Sequence, residues 1–80
     1  MTVSTVTADL PGIFYQTPGP GEPVFKAPGA TVAKGDTLAL IEVMKTFTPV
    51  LADRDGTFVQ FLIDHEDSVM PGQPICEIEA

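Results

Sequence analysis

Ala8-Asp9-Leu10-Pro11-Gly12-Ile13-Phe14-Tyr15-Gln16 and Ala52-Asp53-Arg54-Asp55-Gly56-Thr57-Phe58-Val59-Gln60 align without gaps at an offset of 44 residues, from 8 to 52, and share Ala, Asp, Gly, Phe and Gln. Further on, Thr31-Val32-Ala33-Lys34-Gly35-Asp36-Thr37-Leu38 runs parallel to Ser68-Val69-Met70-Pro71-Gly72-Gln73-Pro74-Ile75, and Ile41-Glu42 to Ile78-Glu79, at an offset of 37, from 31 to 68. The chain is therefore an internal repeat, and such self-similarity outranks any local reading. The two offsets differ by seven residues, so the first half carries an insertion between Gln16 and Thr31, where Pro18-Gly19-Pro20-Gly21-Glu22-Pro23 stands.

Each unit reads as a leading strand, a Gly corner, an apolar strand, a short strand at Val32 or Val69, a Gly turn and a closing strand. A unit of this size cannot bury both faces of a sheet alone. The expectation is an all-β fold: a flattened β-barrel or sandwich of two pseudo-twofold-related four-stranded units, one domain over 1–80, with a protruding loop at about 17–23. The leading strand of the first unit is expected within the tail 1–7.

Composition agrees. Eight Pro and seven Gly interrupt the chain too often for long helices, while 44% hydrophobic and 19% charged residues suit a folded core. The net charge of −7 offers no basic surface for phosphates or anionic lipid, which argues against nucleic acid and membranes as partners. No segment is long and apolar enough to span a bilayer or act as an export signal. One Cys and one His cannot furnish a zinc site or an internal disulfide, and the cytoplasm is the expected compartment.

Leu38 to Leu51 resists a local reading, having no Gly, Asn or Asp and only Pro49 to break it. The repeat resolves it: Glu42 matches Glu79 near the end of a unit, and Phe47 to Leu51 match the leading residues Val3 to Thr7. One unit closes and the next opens within Val43-Met44-Lys45-Thr46. A two-residue hairpin there prefers Asn-Gly or Asp-Gly, so Met44-Lys45 at the tip accepts backbone strain, which is a hint of function. Lys45 is expected to project from one end of the domain, with both termini near the other. An exposed lysine on an arbitrary hairpin is ordinarily a solubilising residue. Here the wrong turn residues, the apolar Val43 and Met44 beside it, and the presence of only Lys26 and Lys34 elsewhere single Lys45 out for enzymatic acylation. A protonated ammonium is no nucleophile, so a partner enzyme must supply the activated acyl group.

Glu42-Val43-Met44-Lys45 resembles the Glu-Ala-Met-Lys attachment motif of biotin carboxyl carrier proteins, and Gly12-Ile13-Phe14-Tyr15-Gln16-Thr17-Pro18 is similar to the Gly-Thr-Phe-Tyr-Arg-Thr-Pro stretch of the bacterial acetyl-CoA carboxylase carriers. Gly35-Asp36-Thr37-Leu38 and Asp55-Gly56-Thr57 fall in register, so the resemblance runs from about Leu10 to Glu79. It implies a carrier without catalysis of its own. Lys45 takes biotin as an amide on Nζ from a biotin–protein ligase that reads Glu42, Val43 and Met44. A biotin carboxylase then uses ATP and bicarbonate to load a carboxyl group, which travels to a carboxyltransferase, as in an acetyl-CoA or other acyl-CoA carboxylase. The resemblance further implies that the insertion is a thumb over the biotin ring, with Thr17, Pro18, Gly19 and Pro20 as its contacts. Val43 stands where the family has Ala, and Thr46 where an apolar residue is common. The family's N-terminal region and its Ala/Pro-rich linker are missing, so recruitment is expected through the domain itself or another subunit. The alternatives are a lipoyl carrier, which shares the fold but usually has Asp in place of Met44, and an unmodified β module using the Val43 to Phe47 tip as an apolar contact.

Other residues are read as structural. His65-Glu66-Asp67 falls opposite Pro28-Gly29-Ala30, in a solvated turn. Cys76, alternating with Ile75 and Ile78 and lacking a basic neighbour, is buried filler. Phe14, Phe58 and Phe61 are assigned to the core, and Asp36 and Gln73 to equivalent turns.

Overall fold

The computed structural model describes residues 2–80, so Met1, the first residue of the expected tail and domain, lies outside the described residues. Eight strands follow one another: β1 (Val3–Thr7), β2 (Gly12–Tyr15), β3 (Thr31–Val32), β4 (Thr37–Val43), β5 (Thr46–Leu51), β6 (Gly56–Phe61), β7 (Ser68–Val69) and β8 (Pro74–Glu79). Among the described residues no helix is long and apolar enough to cross a membrane.

The strands form two antiparallel sheets, ordered β1-β8-β6-β3 and β5-β4-β2-β7. Replacing each strand by its repeat partner turns one order into the other. Most registers match too: Val3 pairs Glu79 as Phe47 pairs Glu42, and Gly56 pairs Val32 as Gly12 pairs Val69, but β6 shifts against β8 after Phe58 where β2 runs against β4 without a shift. The repeat units are not the sheets, however. Each sheet takes two strands from each half, so the units interlock into a flattened sandwich 37 × 27 × 20 Å in extent.

The buried apolar residues fall into six repeat pairs: Ala8 with Ala52, Phe14 with Phe58, Val32 with Val69, Leu38 with Ile75, Ala39 with Cys76, and Ile41 with Ile78. Burying each large member stabilises the fold by about 1.5–3 kcal/mol. Phe61 is only partly buried and packs against this core, edge-on to Phe14. Cys76 is buried as expected, but not by strand alternation. A register shift leaves Ile75 unpaired between Val6↔Cys76 and Thr7↔Pro74, so Ile75 and Cys76 both face inward. The same shift at Leu38 buries Leu38 and Ala39 together. Burial pushes the Cys76 thiol up to about 12, with the charge of Glu77 adding to it, so the sulfur is inert.

Gly12 and Gly56 allow the corners to close. A Cβ on Gly56 would lie 2.5 Å from the backbone oxygen of Glu79, and one on Gly12 would meet that of Glu42 in the same way. Thr2 and Ala80 exchange backbone hydrogen bonds of 2.9 Å, the repeat equivalent of the Val43↔Thr46 pair that closes the β4–β5 hairpin. The hairpin tip and the paired termini are thus the same place in the two halves.

Candidate functional site

Two structures unique to one half build the site: the β4–β5 hairpin and the loop between β2 and β3. At the hairpin, Met44 and Lys45 have φ of 51° and 67°. Positive φ at both central residues is the type I′ geometry whose twist matches the flanking strands. Asn and Gly adopt it readily, whereas each ordinary side chain pays roughly 1–2 kcal/mol. The β4–β5 ladder from Thr37↔Leu51 to Val43↔Thr46 holds the turn against that strain, anchored by buried Ala39 and Ile41. Met44 is left 93% exposed, Lys45 is exposed beside it, and Val43 packs back onto the core.

The other two lysines sit differently. Lys26 Nζ donates to Asp36 Oδ2 at 3.0 Å and to the Thr31 carbonyl at 2.9 Å, with its side chain only 18% exposed. Lys34 is exposed, but it lies in the turn before Gly35, where its backbone N–H is bonded to Asp55 Oδ1 at 2.7 Å. Lys45 alone stands at a strained apex.

The loop begins where the halves part. Leu62 N–H donates to the Ile75 carbonyl at 2.7 Å, but at the corresponding offset from Leu62 stands Pro18, which has no N–H to give. The chain leaves the sheet at Thr17 and returns at Phe25, whose N–H donates to the Gln16 carbonyl at 3.0 Å. Thr17 Oγ1 donates to the Gly19 carbonyl at 3.1 Å, and a turn from Gly19 to Glu22 with Gly21 at φ 78° folds the tip. Thr17 to Gly21 of this thumb stand over Tyr15, Leu40, Glu42 and Phe47 of the β5-β4-β2-β7 sheet.

A cavity of about 690 Å³ lies beneath it. Thr17, Pro18, Gly19, Pro20 and Gly21 form its roof, Tyr15, Leu40, Glu42 and Phe47 its floor, and His65 and Glu66 one wall. Tyr15 Oη donates to Glu42 Oε1 at 2.9 Å, and the rings of Phe47 and His65 flank the Tyr15 ring at 5.7 and 5.6 Å. That hydrogen bond raises the Tyr15 hydroxyl above its usual range, helped by desolvation and by the charges of Glu42 and Glu66. The phenol therefore remains a donor and keeps Glu42 fixed on β4, three residues from the apex.

Of the residues singled out from sequence, the cavity gathers Thr17, Pro18, Gly19, Pro20 and Glu42 and leaves Val43, Met44 and Lys45 outside its lining. The insertion is thus a roof, and the attachment candidate stands beyond its edge. Tyr15, Leu40, His65 and Glu66 were not read as site residues, and Phe47 was read only as part of the exposed tip. His65-Glu66-Asp67 does form the exposed turn expected, and His65 and Glu66 also line the cavity. The repeat held a signal for it: Glu66, at φ 67°, occupies the position of Gly29, at φ 90°.

A family model described as "Biotin-requiring enzyme" matches residues 4–80. The biotin carboxyl carrier protein of acetyl-CoA carboxylase from Streptococcus pyogenes is 39% identical over 74 residues, covering 92% of this chain and 45% of that protein. The protein of the same description from a Nostoc species is 32% identical over 77 residues, covering 96% of this chain and 42% of its own length. This chain therefore spans under half the length of these relatives. Among solved structures, the urea carboxylase of Kluyveromyces lactis aligns at a TM-score of 0.80 and 25% identity over 99% of this chain and 6% of that one. A single-chain, multi-domain long-chain acyl-CoA carboxylase aligns at a TM-score of 0.77 and 21% identity, over 94% of this chain and 7% of its own, a likeness of fold. With the match running through both halves, the hairpin and the thumb, the chain belongs to the biotin and lipoyl domain family described as biotin-requiring enzymes.

Proposed function

We propose that residues 1–80 are a biotin carboxyl carrier domain in which Lys45 bears biotin through an amide on Nζ. The observation that carries this reading is the hairpin apex, where two non-glycine residues at φ 51° and 67° hold one lysine out beside a 93% exposed methionine. Strain at both residues makes little sense for a turn that only joins two strands.

The residues present suit the group. A primary amine stands clear of the sheet, and the cavity beside it combines the apolar faces of Tyr15, Leu40 and Phe47 with the polar edges of Thr17 and Glu42. When bound, biotin supplies a ureido nitrogen that takes up and releases a carboxyl group. The chain itself performs no bond chemistry. The hairpin fixes the root of the arm, so its reach is set by the lysine side chain. Glu42, Val43 and Met44 present the apex to a biotin–protein ligase. Thr17, Pro18, Gly19 and Pro20 roof the space in which the ring shelters, and the prolines stiffen that roof.

The partners follow from the role: a biotin carboxylase that loads the arm and a carboxyltransferase that unloads it, those of an acetyl-CoA or other acyl-CoA carboxylase. The domain, acidic by seven charges, becomes more so when acylation removes the Lys45 ammonium. A cytoplasmic location suits these partners.

Intact mass after co-expression with a biotin–protein ligase tests the reading. A single biotinyl adduct is expected, absent in Lys45→Arg, and the variant should lose all carboxylation. A variant that keeps its cellular role with arginine at position 45 would make the tip an unmodified contact surface, and a lipoyl adduct would make the domain a lipoyl carrier.

A further inference from the structure

We infer that His65 is a positioning residue for the thumb: its neutral imidazole clasps the thumb's root through the Gln16 backbone amide, and protonation of the ring releases it. The inference rests on reading the thumb as the cover of the biotin site, but the clasp itself is a property of the unmodified chain.

Gln16 is the last residue before the thumb, and three hydrogen bonds hold it. Its N–H donates to His65 Nδ1 at 3.0 Å, its carbonyl accepts from Phe25 N–H at 3.0 Å, and its Nε2 donates to the Ile63 carbonyl at 3.1 Å. The first of these constrains the ring chemically. To accept from an amide, Nδ1 must carry a lone pair, so the imidazole is neutral with its proton on Nε2. A proton on Nδ1 would set N–H against N–H, and the bond would be replaced by repulsion.

The ring also packs edge-on against Tyr15, 5.6 Å away. The titratable groups facing it are Tyr15 from β2, Glu42 from β4 and Glu66 from its own turn, and no Lys or Arg lines the cavity among the described residues. Glu66 at φ 67° completes the turn through its N–H, bonded to the Phe14 carbonyl at 2.6 Å, which presents His65 to Gln16.

The repeat supplies an internal control. The position equivalent to His65 is Pro28, which has no side-chain acceptor, and the other half has no thumb to hold. The clasp exists only where there is something to clasp.

Amide exchange at pH 7.5 and 5.5 reads the clasp directly. The experiment uses the full unmodified chain by NMR, with rates corrected for the intrinsic pH dependence of exchange. In the natural sequence, protection of the Gln16 amide should fall roughly tenfold on acidification, the order expected for one hydrogen bond, and the Thr17, Gly19 and Gly21 amides should loosen with it. His65→Ala should be loose at both pH values. His65→Asn, whose Oδ1 replaces Nδ1 as acceptor but cannot protonate, should be protected at both. Unchanged protection in the natural chain, full protection in His65→Ala, or a pH dependence that survives in His65→Ala and so belongs to Glu42 or Glu66, would each overturn the inference. None of these results depends on whether Lys45 is biotinylated.

Discussion

The two halves of this domain share four strands, six buried positions and matching bulges at Leu38 and Ile75, yet they differ at several places, among them a register shift of β6 against β8 between Phe58 and Gln60 that β2 does not make against β4. The first half ends in a closed hairpin where the second ends at the paired termini. The first carries a thumb where the second continues along the sheet. The β2–β3 side leans on His65 where its counterpart has Pro28. Arg54 reaches Ser4 Oγ at 2.6 Å, whereas its equivalent, Leu10, faces Thr48 across an open groove. Symmetric positions answer to the core, and the hairpin, thumb and His65 differences cluster around one cavity and one lysine. Departure from the repeat therefore separates function from scaffold without any alignment of relatives.

The strongest way to break that comparison is at the core. Phe14→Ala and Phe58→Ala should each destabilise the domain by about 3–5 kcal/mol in denaturant unfolding, and by nearly equal amounts, because both rings are fully buried and repeat-equivalent. Values differing by more than about 2 kcal/mol would mean that the site half is packed differently from the other.

The hairpin should behave in the opposite sense. Replacing Met44-Lys45 by Asn-Gly relieves positive φ at two residues, and the unfolding free energy should rise by roughly 1–2 kcal/mol while acylation is lost. A neutral or negative change would remove the argument that the tip sacrifices stability to present Lys45. Smaller still is the thumb: deleting Pro18 to Pro23 should alter stability by less than about 1 kcal/mol, since the second half folds without that segment. Loss of a cooperative thermal transition would show that the thumb belongs to the scaffold.

The smallest difference appears only in acid. Asp36 Oδ2 accepts from Ala33 N–H at 2.9 Å, just as Gln73 Oε1 accepts from Met70 N–H at 3.0 Å in the equivalent turn. The Ala33 backbone bond, and then Lys26, hold the Asp36 carboxyl below its ordinary value. Because the folded pKa is depressed, its stabilisation is present above the unfolded carboxylate value and is lost as pH falls through the folded one. The Ala33 amide should lose protection below about pH 4 while that of Met70 does not, and Asp36→Gln should make the turns alike.

Much of this was legible in sequence because equivalence needs only offsets. The strand count, the junction at Val43 to Thr46, the seven-residue insertion and the placing of both termini at one end all follow from matching residues at 44 and 37. Offsets say nothing about which unit a strand pairs with, so the interlocking of the sheets was not visible. Alternation misplaced Ile75 relative to Cys76 because a bulge adds a residue without changing composition. Tyr15, Phe47 and His65 were not joined into one site because they converge from three separate segments, and only the folded chain shows that Tyr15 bonds Glu42.

The central claim is that departure from the repeat at residues 44–45 marks an acyl acceptor. It is tested most directly by peptide mass mapping of the protein isolated from its native cells. Biotin is expected on Lys45 and none on Lys26 or Lys34. Native protein with an unmodified Lys45, from cells in which other biotinyl proteins are fully loaded, would contradict it.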